Sequence, residues 1–161
     1  DTLSYAEALK RTLRQDPDVI VVGELLDGEC LLAAMRAAET GHLVISTVHA
    51  PDTVQAIERL INFFPPEHAG SICQQVASCL IGILFQLLVP GQGGNLILAT
   101  ELLIINNAIK NLVRETRYNQ IRSILQTGRS QGMYTLKSCL TELYNKGLIS
   151  QDTLQEYARQ D

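Results

Sequence analysis

Glu24 follows Gly23 at the end of the β-branched run Val19 to Val22, and Thr47 and His49 lie just beyond a second short apolar run, Leu43 to Ser46. A carboxylate beyond the carboxyl end of a sheet strand can order a water or a magnesium shell. An imidazole at the neighbouring tip can donate a hydrogen bond to a phosphate oxygen and report its presence. Local position alone also allows Glu24 to be a helix-start acid and the histidines to be packing or surface residues. His42 precedes the second run. At an extended rise of about 3.3 Å per residue it stands roughly 20 Å from His49, so the two imidazoles do not share a metal ion. His68, beside Pro65 and Pro66, reads as a packing or surface residue.

Phosphate chemistry on such a sheet ordinarily uses a glycine-rich loop whose amides cradle the phosphates, and no G-x-x-x-x-G-K-[ST] occurs in the chain. A G-x-S-x-G elbow, an H-E-x-x-H helix and a G-x-G-x-x-G turn are also missing, so hydrolase, zinc-protease and dinucleotide readings lack their first requirement. The 161 residues therefore carry half of a phosphate site. Cys30, Cys73, Cys79 and Cys139 contain no C-x-x-C pair and read as small buried hydrophobes in a reducing compartment.

These residues need elements to hold them. "QDPD" stops an amphipathic helix that starts at a Ser4/Glu7 capping box, with Tyr5, Leu9 and Leu13 spaced by four, and ends near Arg14. Pro17 biases Asp16 to an extended conformation, and Val19 to Val22 reads as a strand buried on both faces, as in a parallel sheet. Leu31, Leu32, Met35 and Ala38 recur at helical spacing within Glu29 to Thr40, Gly41 stops that helix, and Leu43 to Ser46 completes a strand, helix, strand unit. Asp52 opens a helix through Val54, Ile57, Leu60, Ile61 and Phe64. A further helical pattern runs from Ile72 through Val76 and Leu80 to Ile83. Phe85 to Val89, the turn "PGQGGN" and the run Leu96 to Ile105 read as a hairpin. Helices follow at Ala108 to Glu115, Tyr118 to Gln126, Thr135 to Lys146 and Thr153 to Arg159, with Ser150 as a cap and Gly128, Gly132 and Gly147 as breaks. The expected organisation is an α/β core over residues 1–105 and a helical region over 106–161.

Composition narrows the partners. The 46% hydrophobic content suits a globular fold, and a chain of this length buries roughly 70% of its unfolded surface without staples. Thirteen basic against seventeen acidic residues give a net charge of -4, which argues against a nucleic-acid partner. The longest apolar run, Leu80 to Val89, is broken by Gly82 and Gln86 and is about half a bilayer span, so no membrane span is expected. The residues after Asp1 do not form a basic and then apolar leader, which points to a cytoplasmic protein.

The segments "DPDVIVVGE" and "AAETGHLVISTVHA" resemble the secretion ATPase superfamily, the hexameric RecA-like motors of type IV pili and of type II and IV secretion. The resemblance runs from "LSYAEALKRTLRQDPD" to "MYTLKSCLTELYNKGLIS". It implies a RecA-like P-loop NTPase core, partial because the family's Walker A loop, Asp box and PAS-like domain would precede Asp1. Glu24 matches the catalytic glutamate of the Walker B strand. His42 and His49 match the histidine box, and Arg14 in "LRQDPD" is retained. "AIKNLVRE", Ala108 to Glu115, resembles the signature of the pilus-retraction branch, as does the absence of the four-cysteine insert typical of assembly and type II secretion ATPases.

Two departures stand out. "GELLD" places Leu26 where the family generally has arginine, and "STVHA" places Ser46 and Ala50 at two box positions. Leu26 cannot make a guanidinium's charge-assisted hydrogen bonds.

What the resemblance implies is ATP with Mg2+ bound between subunits of a hexameric ring. Glu24 orients water, His49 with Thr47 senses the γ-phosphate, and Arg14 and His42 complete the nucleotide-linked set, His42 coupling the sheet to a neighbouring domain. "AIKNLVRE" transmits force to an inner-membrane pilus platform protein, with the ring at the cytoplasmic face of that membrane. On the residues present, the chain alone is expected to hydrolyse nothing. The other readings are a non-catalytic RecA-like remnant or subunit-contact module, and an extension or type II secretion ATPase of the same superfamily.

Overall fold

The β-branched run after Pro17 forms β1 (Val19–Val22), which lies parallel to β2 (Leu43–Ser46) with Val19 opposite Leu43 and Val22 opposite Ser46. The computed structural model describes residues 5–158. Ser4 of the expected capping box and Arg159 lie outside them, and the first helix, α1, spans Tyr5–Thr12. Asp16 differs from expectation. It adopts the left-handed region (φ 52, ψ 52) where a 3-10 turn, Leu13–Gln15, ends. Asp is one of the few non-glycine residues that visits this region routinely, and here the need to end the turn outweighs the extended bias set by Pro17.

The crossover between the strands is α2 (Gly28–Glu39), capped by Asp27, whose Oδ1 accepts from the Cys30 amide at 2.8 Å. Gly41, at φ +98, turns the chain into β2. Cys30, Ala33, Ala34 and Ala37 of α2 cover Ile20 and Val22, so small helix residues bring the helix close to the sheet. The opposite face corrects the expectation of burial on both sides. Val19, Val21, Leu43 and Ile45 are exposed, Val21 at 72%. Period-2 alternation sends them away from α2, and no described element covers that face.

Asp52 caps α3 (Thr53–Ile61), and a 3-10 turn at Pro66–His68 leads into α4 (Ala69–Cys79), with His68 exposed. The helical pattern expected through Ile83 stops four residues early. Leu80 is already extended, and β3 runs Gly82–Pro90. Gly82 is a poor helix residue, and the chain from Ile81 alternates between covered and open faces, so strand pairing decides the boundary. β4 (Leu96–Ile104) pairs antiparallel with β3, Gly82 opposite Ile104 and Pro90 opposite Leu96, which bears out the hairpin.

α5 (Asn107–Arg114), α6 (Ile121–Thr127), α7 (Leu136–Asn145) and α8 (Gln151–Tyr157) follow. The single helix expected at 118–126 is divided, because Tyr118–Gln120 is a 3-10 turn before α6. Ile57 and Leu60 of α3, Val76 of α4, Leu103 of β4, Ile109 and Val113 of α5 and Ile121 of α6 share one buried cluster. Leu136 and Leu140 of α7 pack with Ile149 on Val89 and Ala99 of the hairpin. Between β2 and β3 runs a largely apolar groove of about 780 Å³, lined by Met35, Val44, Ser46, Leu60, Ile83 and Phe85 among others. No helix among the described residues is long and apolar enough to cross a membrane.

Candidate functional site

Because β1 and β2 are parallel and end level, the segments beyond them emerge side by side, and three hydrogen bonds lace them together. Ser46 Oγ donates to the Val22 carbonyl at 2.8 Å, Thr47 Oγ1 to the Gly23 carbonyl at 2.6 Å, and the Leu25 amide to the Thr47 carbonyl at 2.9 Å. The lacing brings Nε2 of His49 to 3.4 Å from Oε1 of Glu24. The imidazole is exposed and the carboxylate half-buried, so both reach solvent beyond the tips. A Cβ built on Gly23 would meet nothing within 4 Å, and the approach to the pair is open. Thr47 spends its hydroxyl proton on the Gly23 carbonyl, which leaves its oxygen lone pairs as acceptors.

Behind Glu24, burial and then the charge of Asp27 push the Cys30 thiol above its ordinary range. Cys30 is therefore a packing group under the site rather than a nucleophile. Leu26, two residues after Glu24 in the sequence, is 57% exposed.

Glu24, Thr47 and His49 are thus brought together. His42 and Arg14 are not. His42 sits at the start of β2, where Nδ1 lies 3.0 Å from both the Ala37 carbonyl and Thr40 Oγ1, fastening the end of α2 to the strand. Arg14 is exposed in the 3-10 turn that precedes β1, whereas Glu24 follows that strand.

Over residues 1–159 the sequence matches the family described as type II/IV secretion system protein. The chain belongs to that family. It is similar to the type IV pilus retractation ATPase PilT of Pseudomonas aeruginosa, 42% identical over 159 residues, which cover 99% of this chain and 46% of the relative. It is also similar to a twitching motility protein of Neisseria gonorrhoeae, 40% identical over 159 residues, 98% of this chain and 42% of the relative. A crystal structure of the pilus retraction motor PilT with bound ADP matches at a TM-score of 0.86 and 42% identity, over 98% of this chain and 44% of that one. The chain spans less than half the length of these relatives. Its fold is the α/β fold of the secretion ATPase domain, the class expected from the sequence.

In this member of the secretion family, sequence reading placed Asp52 at the start of α3, as found, but missed the partners that anchor the loop after His49, Arg122 and Glu101. Asp52 Oδ2 accepts from Arg122 Nη2 at 2.6 Å and from Gln55 Nε2 at 2.7 Å, and its Oδ1 accepts from the Gln55 amide at 2.7 Å. Burial pushes the Asp52 carboxyl upward, but the Gln55 bonds and the Arg122 charge outweigh it and hold the group below its ordinary value. Thr53 donates through Oγ1 and its amide to Oε1 of Glu101, at 2.6 and 3.3 Å. The only available signal for Glu101 was an acid inside the apolar run Leu96 to Ile105. A buried acid in a strand must find donors, but the run does not say where they come from.

Proposed function

We propose that this chain is the C-terminal part of a hexameric motor ATPase that couples ATP hydrolysis to type IV pilus retraction. The observation that carries the reading is the 3.4 Å approach of His49 to Glu24 at the level tips of two parallel strands. The match to the retraction motor over 98% of the chain supports it. One carboxylate and one imidazole at an open tip fit the terminal phosphate of a magnesium nucleotide. The remaining phosphates need the cradle of amides that no segment of these 161 residues encodes. The groove between β2 and β3 has room for a further strand, and we assign it to upstream sequence that brings the cradle.

When bound, Mg-ATP supplies a phosphoanhydride whose cleavage is mainly a matter of positioning and charge stabilisation. Glu24 accepts a hydrogen bond from the attacking water and aims it. His49 donates to the terminal phosphate oxygens, and its contact with Glu24 changes when it does so. Thr47 holds the two tips at fixed separation through Gly23. His42 carries strain between β2 and α2, through the Ala37 carbonyl, toward a neighbouring domain. Arg14 faces outward, where it can reach nucleotide held at a subunit boundary. Residues 1–105 serve as the ATPase part and residues 106–161 as the helical part. The outer face of α5, with Asn111 and Arg114 exposed over buried Ile109 and Val113, passes force to an inner-membrane platform protein from the cytoplasmic side.

A second reading has one observation in its favour, the missing phosphate loop: a subunit-contact module that binds other motor subunits and hydrolyses nothing. Phosphate release from Mg-ATP separates the two. The motor reading expects turnover by the full-length gene product and none by residues 1–161 alone. A full-length product as inactive as its Glu24→Gln variant would leave the contact module standing.

A further inference from the structure

Three residues after His49 stands Asp52, the cap of α3, and the entry to the helix is held from two directions by side chains far away in sequence. Asp52 is bonded to Arg122 on α6, 70 positions on. Thr53 is bonded to Glu101 on β4, 48 positions on. Glu101 does not stop there, because its second oxygen, Oε2, accepts from the Leu136 amide at the start of α7 at 3.2 Å. Glu101 is 3% exposed and Thr53 fully buried. One enclosed carboxylate therefore joins the first residues of two helices, α3 and α7.

Ordinary capping does not account for this bridge. Each helix already has its own cap, Asp52 accepting from the Gln55 amide and Thr135 from the Ser138 amide. What Glu101 adds is that the first amides of both helices share one acceptor, so neither start can shift without straining the bond to the other. Ile57 of α3 shares one cluster with Ile109 of α5 and with Ile121 and Leu125 of α6, close-packed side chains that pass a displacement on rather than absorb it, whereas α7 packs on the hairpin and meets α3 through the Glu101 carboxylate. On the near side, Pro51 limits the freedom of the short link back to His49.

We infer that Glu101 and Arg122 are positioning residues that tie the His49 loop to the C-terminal helices, Glu101 to α7 and Arg122 to α6, and so convey the state of the strand-tip site to them. The inference rests on the nucleotide reading of that site. Its physical warrant is an unbroken chain of bonded groups, and a ligand-dependent change at the far end is what it requires.

The test is hydrogen exchange on the full-length gene product with and without saturating ADP, read at three segments: residues 47–53, α6 and α7. In the wild type all three change protection. Glu101→Gln keeps the volume, but its amide can offer an acceptor to Thr53 or to Leu136 and not to both. It reduces the ADP response of α7 at least fivefold while residues 47–53 still respond. Arg122→Ala removes a half-exposed guanidinium and leaves Asp52 its Gln55 partners, so the fold survives and the response lost is that of α6. The separate losses support the tie, because simple destabilisation would raise exchange throughout. Responses in α6 and α7 that both variants leave unchanged, or that fall together in either variant, would overturn it. A wild type in which residues 47–53 respond and the helices do not would overturn the tie and leave the site reading standing. If residues 47–53 themselves do not respond, the nucleotide reading falls first and the tie with it.

Discussion

The 3.4 Å approach of His49 Nε2 to Glu24 Oε1 is set by a bond that neither residue makes, the one from Thr47 Oγ1 to the Gly23 carbonyl at 2.6 Å. The side chains meet because the two segments are laced just beyond the strand ends, one residue before Glu24 and two before His49, and both remain open to solvent. A carboxylate held in that way can accept from a water and be released from the imidazole when a phosphate competes for it.

The first prediction separates chemistry from binding. Glu24→Gln keeps the side chain's size and removes its capacity to orient and activate water. In the full-length gene product ATP turnover is expected to fall roughly 10²- to 10⁴-fold, while ADP affinity changes less than about threefold. Phosphate release and ADP titration read the two quantities. Loss of ADP binding by this variant would make Glu24 a structural residue.

A second prediction follows from Asp52. Its carboxyl is held below its ordinary value of 3.8, so the unfolded chain binds the proton more readily, and stability rises with pH between the folded and unfolded values. The contribution is fully present above the unfolded value and disappears as pH falls through the depressed folded value. Asp52→Asn removes the charge opposite Arg122 but keeps an oxygen to cap α3. Its urea midpoint is expected to lie below that of the wild type at pH 7, and the gap to narrow as both are taken below about pH 4. A gap that stays constant with pH would show that the Arg122 pair contributes nothing through its charge.

These residues also show where sequence reading succeeds and where it stops. β1 and β2 were legible because Pro17, Gly23 and Gly41 set off two short apolar runs, the first wholly β-branched, and the level tips then followed from a parallel pairing. The resemblance assigned roles to Glu24 and His49 without needing the fold. The exposure of Val19 and Val21 was not legible, since a continuous apolar run does not say whether its second face is covered by this chain. The early end of α4 was hidden because Leu80 and Ile83 also satisfy a helical period. The ties from Thr53 to Glu101 and from Glu101 to Leu136 span 48 and 35 positions, and no local pattern encodes such distances.

A third prediction compares two glycines around the same strand pair. A Cβ on either Gly23 or Gly41 meets nothing within 4 Å, so neither position is closed by packing. Only Gly41 has a positive φ, +98, which strains any L side chain. Gly41→Ala is therefore expected to cost about 1–2 kcal/mol, and Gly23→Ala to lie within about 0.5 kcal/mol of the wild type. Urea denaturation of both variants measures the difference. Equal losses would mean that Gly23 makes a close approach to some other group.

The last prediction concerns α5. Ile109 and Val113 are buried in the main core and Leu112 is half-buried, so the inner face of "AIKNLVRE" is committed to packing. Arg114 lies on the other face, exposed, its Nη1 donating to Asn111 Oδ1 at 3.1 Å. Replacing it should leave the core and the strand tips alone, because a surface substitution away from buried groups shifts stability by about 0.5 kcal/mol or less. If this face passes force outward, Arg114→Glu separates motor from load: ATP turnover stays close to that of the wild type, because no group of the strand-tip site is altered, while pilus retraction and twitching are lost. A Val113→Ala control would act differently, opening a cavity in the core and lowering thermal stability by about 1–3 kcal/mol together with turnover. Normal twitching in cells carrying Arg114→Glu would remove this helix face from the force path and restrict α5 to packing.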